Sequence, residues 1–217
     1  MDLLLLHALP LDGTMWDRVP PFECDSVVAP TLYGLGDTIE DWAAAVLQLC
    51  RNPLVVVGNS IGGSCALEVA RLAPDRVAAL VLIGTNAAHR PEPEVRDDAI
   101  RFLSEHGVAA GFTRYWEPLF GSNADPEIVE AARALAARQV VGDIVRGTSA
   151  FHARADREQF VRSWSKPLLV VEGAEDQPER GTEIAAMAPQ ADLCVIGASG
   201  HYVPLEQPMQ LGDLATQ

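Results

Sequence analysis

The chain has 217 residues, of which 48% are hydrophobic, and a formal net charge of −14 at pH 7. This length and composition suit one α/β domain with an insertion and a sizeable core. The acidic balance argues against nucleic acid as a partner, because phosphate binding relies on clustered Lys and Arg. No apolar run approaches the roughly 20 residues that cross a bilayer. The run Leu3–Leu6 is also too short for the apolar part of a secretory signal, so we expect a cytoplasmic protein without membrane contact.

A parallel βαβ rhythm runs through both ends of the chain. Apolar runs bounded by turn residues predict six strands, near 2–6, 24–29, 54–58, 77–83, 167–172 and 191–196. Helical periodicity lies between them, near 38–51, 62–73, 178–188 and 204–215. Strands that alternate with helices in this way predict an α/β fold with a doubly wound, mostly parallel sheet.

The alternation breaks in the middle of the chain, at residues 87–165. Helix-like, alanine-rich stretches at 94–106, 108–120 and 126–140 are separated there by Gly and Pro. This segment carries 10 arginines and 12 acidic residues, so it is nearly neutral on a strongly acidic scaffold. We predict a core of residues 1–86 and 166–217 with a helical segment inserted at 87–165.

The loop after the first strand argues against a nucleotide-binding domain. Its sequence is His-Ala-Leu-Pro-Leu-Asp-Gly at positions 7–13, without a G-x-G-x-x-G or Walker glycine pattern. The four cysteines lack C-x-x-C spacing, and His89, His106 and His152 lack the neighbouring ligands of a metal site. We therefore expect no disulfide, no metal and no cofactor.

The turn Gly58-Asn59-Ser60-Ile61-Gly62-Gly63 follows the predicted strand 54–58 and opens a helix. A strand that reverses sharply into a helix needs small residues on both sides of the turn, which exposes one side chain above the sheet. Here that side chain is the Ser60 hydroxyl. An ordinary βα turn can carry the same residues, so a nucleophilic role requires a base and an acid elsewhere.

Candidates for both partners occur downstream. Asp176 lies in the loop after the strand 167–172, and His201 ends the glycine-rich loop after the strand 191–196. Glu175 competes with Asp176 as the acid because it directly precedes it. The order Ser, Asp, His is expected when three groups converge at the carboxyl edge of a parallel sheet.

These motifs resemble the α/β-hydrolase superfamily, in particular its small, lidded esterase and enol-lactonase branch, over nearly the whole chain. The resemblance implies that Ser60 is the nucleophile, His201 the base and Asp176 the acid. It also implies that the inserted segment is a lid. Larger members carry extra strands before the one at 2–6, so the strand near 24–29 would lie at an exposed sheet edge. Both a monomer and a homodimer are compatible with that arrangement.

By position, the resemblance also implies an oxyanion hole. Its two backbone N–H donors would belong to Ile61, directly after the nucleophile, and to Leu9 in the first loop. Ala8 stands where the family usually has glycine, so this loop must reach its conformation with a Cβ present.

The activity implied is hydrolysis of a small carboxylic ester or lactone through an acyl-enzyme. A thioesterase, a C–C bond hydrolase and a cofactor-free haloperoxidase-like enzyme would use the same triad, because fold and triad fix a reaction class and not a substrate. A non-catalytic member that binds a small ligand is the alternative from another class.

Aromatic residues of the inserted segment suggest an apolar roof over a small-molecule site. The arginines of this segment are expected mainly to pair with acidic residues along helix faces, as the i,i+4 spacing of Asp97 and Arg101 indicates. In the alternative, one or two of them, with Arg114 and Arg146 as candidates, face the site and attract an acidic substrate. The candidate substrate-binding residues are His7, Arg114, Tyr115, Trp116 and Tyr202.

Overall fold

The protein is described by a computed structural model that covers residues 1–20, 24–89, 91–176 and 180–214. Six strands form one sheet in the order β2-β1-β3-β4-β5-β6, and every neighbouring pair is parallel. The strands are β1 (Asp2–Leu6), β2 (Ser26–Val28), β3 (Leu54–Asn59), β4 (Val77–Ile83), β5 (Leu168–Gly173) and β6 (Ala191–Ile196). The predicted parallel sheet is thus confirmed.

The neighbouring strands β1 and β3 lie deep in the protein. All five residues of β1 are buried, as is most of β3, which explains the apolar runs at 3–6 and 54–57. β2 lies at the edge, pairs only with β1 and is three residues long, shorter than the predicted 24–29. A short edge strand leaves few unpaired backbone groups exposed.

Helices cover the sheet. They are α1 (Ile39–Leu49), α2 (Ile61–Leu72), α7 (Arg180–Met187), α8 (Val203–Glu206) and α9 (Pro208–Leu214). A capping box between Thr38 and Asp41 begins α1. The predicted helix 204–215 is two short helices, because Pro208 has no N–H to continue the ladder. Residues 178, 179 and 215 of the predicted helices lie outside the described residues.

The segment between β4 and β5 consists mainly of helices. We call residues 87–165 the helical insertion; it contains α3 (Pro93–Gly111), α4 (Pro126–Ala137), α5 (Val141–Ala153) and α6 (Glu158–Ser163). The α3 backbone leaves the helical conformation at Gly107, where φ is +79°. The sequence predicted a break between two helical stretches at this position. A π-helix (Phe112–Trp116) and a 3-10 turn (Glu117–Leu119) stand where the sequence predicted helix to residue 120.

Within the residues that the structure describes, no helix is both long and apolar enough to cross a membrane. The four cysteines are all free thiols, and Cys50 and Cys65 are buried.

Candidate active site

Ser60 occupies a strained turn between β3 and α2. Its φ is +58° and its ψ is −119°, a region that costs a non-glycine residue roughly 1–3 kcal/mol. The surroundings hold this conformation: the Ser60 N–H donates to the Ile83 carbonyl (2.9 Å), and Thr85 Oγ1 donates to the Ser60 carbonyl (3.2 Å). The serine therefore stands at the carboxyl end of the sheet, where the sequence predicted it.

Asp176 and His201 meet at the same edge of the sheet. The distance from His201 Nδ1 to Asp176 Oδ2 is 2.8 Å, and both side chains are buried. The carboxylate of Glu175 instead accepts a hydrogen bond from the Ser122 N–H (2.6 Å) in the helical insertion. Of the two adjacent acids, Asp176 is thus the one that contacts the imidazole.

The backbone of His201 is fixed on two sides. Its N–H donates to the Leu119 carbonyl (2.8 Å) in the helical insertion, and its carbonyl accepts from Asn59 Nδ2 (3.1 Å) in the serine turn. Because Nδ1 faces Asp176, Nε2 is the nitrogen available to a second partner. The hydrogen bonds of the described residues include none from Ser60 Oγ to this imidazole, a contact that often tightens only when substrate binds.

Ser60 and His201 line one cavity of about 200 Å³, which we call the main cavity. The helical insertion supplies most of its wall, so it covers the serine. The lining residues are Leu9, Ser60, Val95, Ala99, Leu103, Tyr115, Trp116, Leu119, Thr148, Phe151, His152, His201 and Tyr202. An apolar cavity with a few convergent polar groups is the usual form of a small-molecule site.

Three of the five predicted substrate-binding residues, Tyr115, Trp116 and Tyr202, line the main cavity. Arg114 does not: its guanidinium stacks on Phe102 (4.4 Å) and pairs with Asp98 (2.9 Å) on the surface. His7 does not line the cavity either and is fully buried at the start of the first loop. Arg146, also considered for an acidic substrate, pairs with Asp143. The helical faces that carry Arg114 and Arg146 decide the outcome for these two residues.

The predicted oxyanion donors Ile61 and Leu9 lie next to Ser60 in the chain and on the main cavity, respectively. Ile61 is the first residue of α2, so its N–H has no intrahelical acceptor. Leu9 lines the main cavity, and its carbonyl accepts from the Tyr202 hydroxyl (2.9 Å). Among the described residues, Ser60 and Ala198 are the non-glycines with positive φ, so Ala8 adopts an ordinary backbone conformation and its Cβ is tolerated.

The sequence analysis did not predict the roles of two residues that shape the site. Gly84, at the end of β4, has φ +53°, and a Cβ there would lie 2.9 Å from both Asp176 Oδ2 and His201 Nδ1. Only glycine lets the chain pass this close to the pair. A glycine directly after a strand at the carboxyl edge was the available signal.

The second is Glu206 on α8, whose carboxylate is buried. It accepts hydrogen bonds from the N–H groups of Gly121 (2.8 Å), Gly200 (3.1 Å) and Tyr202 (3.2 Å). Burial raises the pKa of Glu206, although these backbone donors oppose the rise. The carboxylate ties the His201 loop to the helical insertion, a role without a local sequence signal.

His7 stabilises the first loop as a neutral imidazole. Its Nε2 accepts from the Leu32 N–H (2.9 Å), and Nδ1 lies 3.1 Å from the Ala8 carbonyl. Nδ1 must then carry the proton. Burial lowers the pKa of His7 to about 4.

This shift predicts a pH-dependent stability. The folded pKa lies below the ordinary value of 6.5, so the unfolded chain binds the proton more readily between pH 6.5 and 4. Stability is full above pH 6.5 and falls as the pH drops, by about 2 kcal/mol between pH 7.5 and pH 5. Urea unfolding at these pH values should show His7→Gln losing less stability than wild type over this interval. The exposed control His106→Gln should keep the wild-type slope; parallel losses in wild type and His7→Gln would contradict the assignment.

No group of three or more His, Cys, Asp or Glu side chains suited to a metal ion occurs in the described parts of the chain.

Comparison with known proteins identifies the class of fold. The sequence model of the alpha/beta hydrolase family matches residues 3–213, nearly the whole chain. The chain therefore belongs to the alpha/beta hydrolase family, which confirms the resemblance seen in the sequence.

Particular relatives are esterases and related enzymes. Over 101 residues the chain is 39% identical to a pimeloyl-[acyl-carrier protein] methyl ester esterase from Aromatoleum aromaticum, a match that covers 43% of this chain and 40% of that protein. It is 26% identical over 211 residues to a putative 2-succinyl-6-hydroxy-2,4-cyclohexadiene-1-carboxylate synthase from Bacillus subtilis, covering 90% of this chain and 76% of that one. A solved thermophilic esterase from Thermogutta terrifontis superposes with a TM-score of 0.90 at 27% identity, covering 100% of this chain and 88% of that one.

Proposed function

We propose that the protein is a serine hydrolase that cleaves a small carboxylic ester or lactone through an acyl-enzyme. The observation that carries this proposal is the 2.8 Å pair of His201 and Asp176, on a cavity shared with the strained Ser60. Membership of a family whose relatives include esterases supports ester hydrolysis as the reaction class.

In the proposed mechanism, His201 Nε2 takes the proton of Ser60 Oγ as the oxygen attacks the substrate carbonyl. Asp176 holds Nδ1–H and stabilises the imidazolium that forms. The N–H groups of Ile61 and Leu9 donate to the developing oxyanion, and each such donor is typically worth about 10²- to 10³-fold in kcat. His201 then protonates the leaving alcohol. Water repeats the sequence on the acyl-enzyme and releases the acid.

The main cavity favours a small substrate. Its volume of about 200 Å³ lies below the roughly 300–1,000 Å³ of most ligand pockets. Tyr115, Trp116 and Phe151 supply an apolar wall from the helical insertion, which acts as the lid in this proposal.

A fluorophosphonate probe tests the nucleophile directly, because it labels an activated serine. We expect intact-mass spectrometry to show one adduct on the wild-type protein and none on Ser60→Ala. Ser104→Ala serves as the matched control, since Ser104 is exposed on α3 and donates to the Ile100 carbonyl. An adduct that persists in Ser60→Ala, or none on folded wild-type protein, would overturn the proposal.

A further inference from the structure

The wall of the main cavity contains two polar groups that the proposed mechanism does not use. They are the Thr148 hydroxyl and the His152 imidazole, which we call the polar pair; both residues line this cavity. They lie four residues apart on α5, a spacing that places two side chains on the same face of a helix. Ser60 lines the same cavity, so a molecule bound at the serine lies within reach of the polar pair.

The Thr148 hydroxyl is buried without a partner. The residue is 5% exposed, and none of the described residues forms a hydrogen bond with its Oγ1. By contrast, Ser149 Oγ, the next hydroxyl along α5, donates to the Val145 carbonyl one turn earlier (2.9 Å). Buried polar groups are nearly always hydrogen-bonded, because an unpaired one destabilises the fold. Threonine is also a weaker helix former than alanine or leucine, so helix formation does not account for this hydroxyl.

The His152 imidazole is the second member of the pair. Its ring meets the Phe151 ring edge-on, and the hydrogen bonds of the described residues include none to its nitrogens. Burial is the main reason why the pKa of His152 is lowered, so the ring is uncharged at pH 7. A neutral imidazole offers one donor and one acceptor, and a hydroxyl offers both from one oxygen.

Two further hydroxyls on the cavity wall are engaged within the protein. The Tyr115 hydroxyl donates to Asp98 Oδ2 (3.3 Å), and the Tyr202 hydroxyl donates to the Leu9 carbonyl (2.9 Å). Within the described part of the wall, the Thr148 hydroxyl is thus the one outside the triad that still lacks a partner.

The position of α5 is fixed next to the first loop. A Cβ at Gly147 would lie 2.9 Å from Leu9 Cδ2 and 3.0 Å from Tyr33 Cε1, so the helix packs tightly on this loop directly before Thr148. Leu9 is also a predicted oxyanion donor. A binding group on a well-packed helix is held in place before the ligand arrives.

We propose that the polar pair binds a hydroxyl group of the substrate, so that the enzyme prefers hydroxy esters to esters with a methyl group in its place. The proposal rests on the proposed function, because Ser60 is taken as the nucleophile. A hydroxyl is a neutral group that donates and accepts from one atom, so it can bond both members of the pair. A ketone or an ether can only accept, and a charged group would lose its hydration against an apolar wall.

The test uses pairs of esters in which a hydroxyl replaces a methyl group of similar size. Methyl lactate is compared with methyl isobutyrate, and methyl β-hydroxybutyrate with methyl isovalerate, which places the hydroxyl at two points of the acyl part. Ethylene glycol monoacetate is compared with propyl acetate, which places it in the alcohol part. Each kcat/KM is divided by the rate of alkaline hydrolysis of the same ester, which removes differences in intrinsic reactivity.

An apolar wall alone would favour the methyl member of each pair, because burying an unpaired hydroxyl is unfavourable. We expect the corrected kcat/KM to be about 10- to 100-fold higher for the hydroxy member of at least one pair, the range for a buried hydrogen-bonding group that would otherwise stay unpaired.

Thr148→Val keeps the side-chain shape and removes the hydroxyl. It should raise KM for the preferred hydroxy ester and lower KM for its methyl partner, so the ratio of their kcat/KM values falls about 10-fold or more. It should also raise the urea midpoint of unfolding, because the unpaired hydroxyl is gone. His152→Phe should lower the same ratio. An unchanged ratio in either variant, or an equal fall for both esters in Thr148→Val, would overturn the inference.

Two further variants serve as controls. Thr148→Ser restores a hydroxyl at the same position and should keep the wild-type ratio within about threefold. Ser149→Ala lies on the same helix and loses a hydroxyl that is already bonded to Val145, so it should keep the ratio as well. Loss of the ratio in Ser149→Ala would show that any change in α5 produces the effect.

Binding to Ser60→Ala separates the inference from the proposed function. This variant should bind the preferred hydroxy ester about 10-fold more tightly than its methyl partner in titration calorimetry. Equal Kd values within all the pairs would overturn the inference, whether or not the wild-type protein hydrolyses esters. Absence of fluorophosphonate labelling on folded wild-type protein would instead count against the proposed function.

Discussion

Asp176→Asn is expected to lower kcat for ester hydrolysis about 10⁴-fold, whereas Glu175→Gln leaves it within about threefold. An asparagine offers its NH₂ to His201 Nδ1 as readily as its oxygen, and it carries no charge to stabilise the imidazolium. The wrong tautomer would then place the proton on Nε2, the nitrogen that must accept from Ser60. Each substitution removes one negative charge from the same loop, but only Asp176 contacts His201, whereas Glu175 accepts from the Ser122 N–H.

The measurement is kcat for a short-chain ester at neutral pH, with circular dichroism to show that both variants fold. A loss in Glu175→Gln as large as that in Asp176→Asn would contradict the assignment of the acid. It would indicate that the two carboxylates act only through the loop after β5.

Gly58→Ala is expected to destabilise the protein by more than about 4 kcal/mol, or to prevent folding. A Cβ at Gly58 would lie 2.3 Å from the Gly62 carbonyl oxygen and 2.5 Å from the Gly63 nitrogen. These are backbone atoms of the turn that carries Ser60, so no side-chain rotation relieves the clash. The turn would have to open, and the conformation of Ser60 would be lost with it.

Gly142→Ala is the matched control. Gly142 lies in the first turn of α5, where a Cβ would meet only Arg146 Nη1, at 4.0 Å. Alanine is the better helix former, so this variant should gain about 0.5–1 kcal/mol. Urea unfolding of both variants checks the pair. A Gly58→Ala protein as stable as wild type would show that the turn has room for a Cβ.

Local patterns in the sequence predicted the elements that are long and regular. The apolar runs of β1, β3 and β4 and the periodicity of α1 and α2 gave bounds within a few residues of those observed. The predicted helix boundaries were wrong where a single residue interrupts the helical periodicity, as Pro208 does between α8 and α9. In the helical insertion, α5 and α6 were not predicted individually, because α5 contains two glycines, which are poor helix formers, and α6 is only six residues long, too short to show a helical period.

The sequence by itself determined Ser60, Asp176 and His201 as candidates, because each follows a predicted strand and parallel strands bring their carboxyl ends to one edge. Tertiary structure alone decided which arginine approaches the serine. Arg114 and Arg146 pair with acids on the surface, whereas Arg154 lines a small cavity that Ser60 also lines. The direction of these side chains depends on how the helices of the insertion pack, where α3 contacts α5. That packing joins residues far apart in the chain, and no local spacing records it.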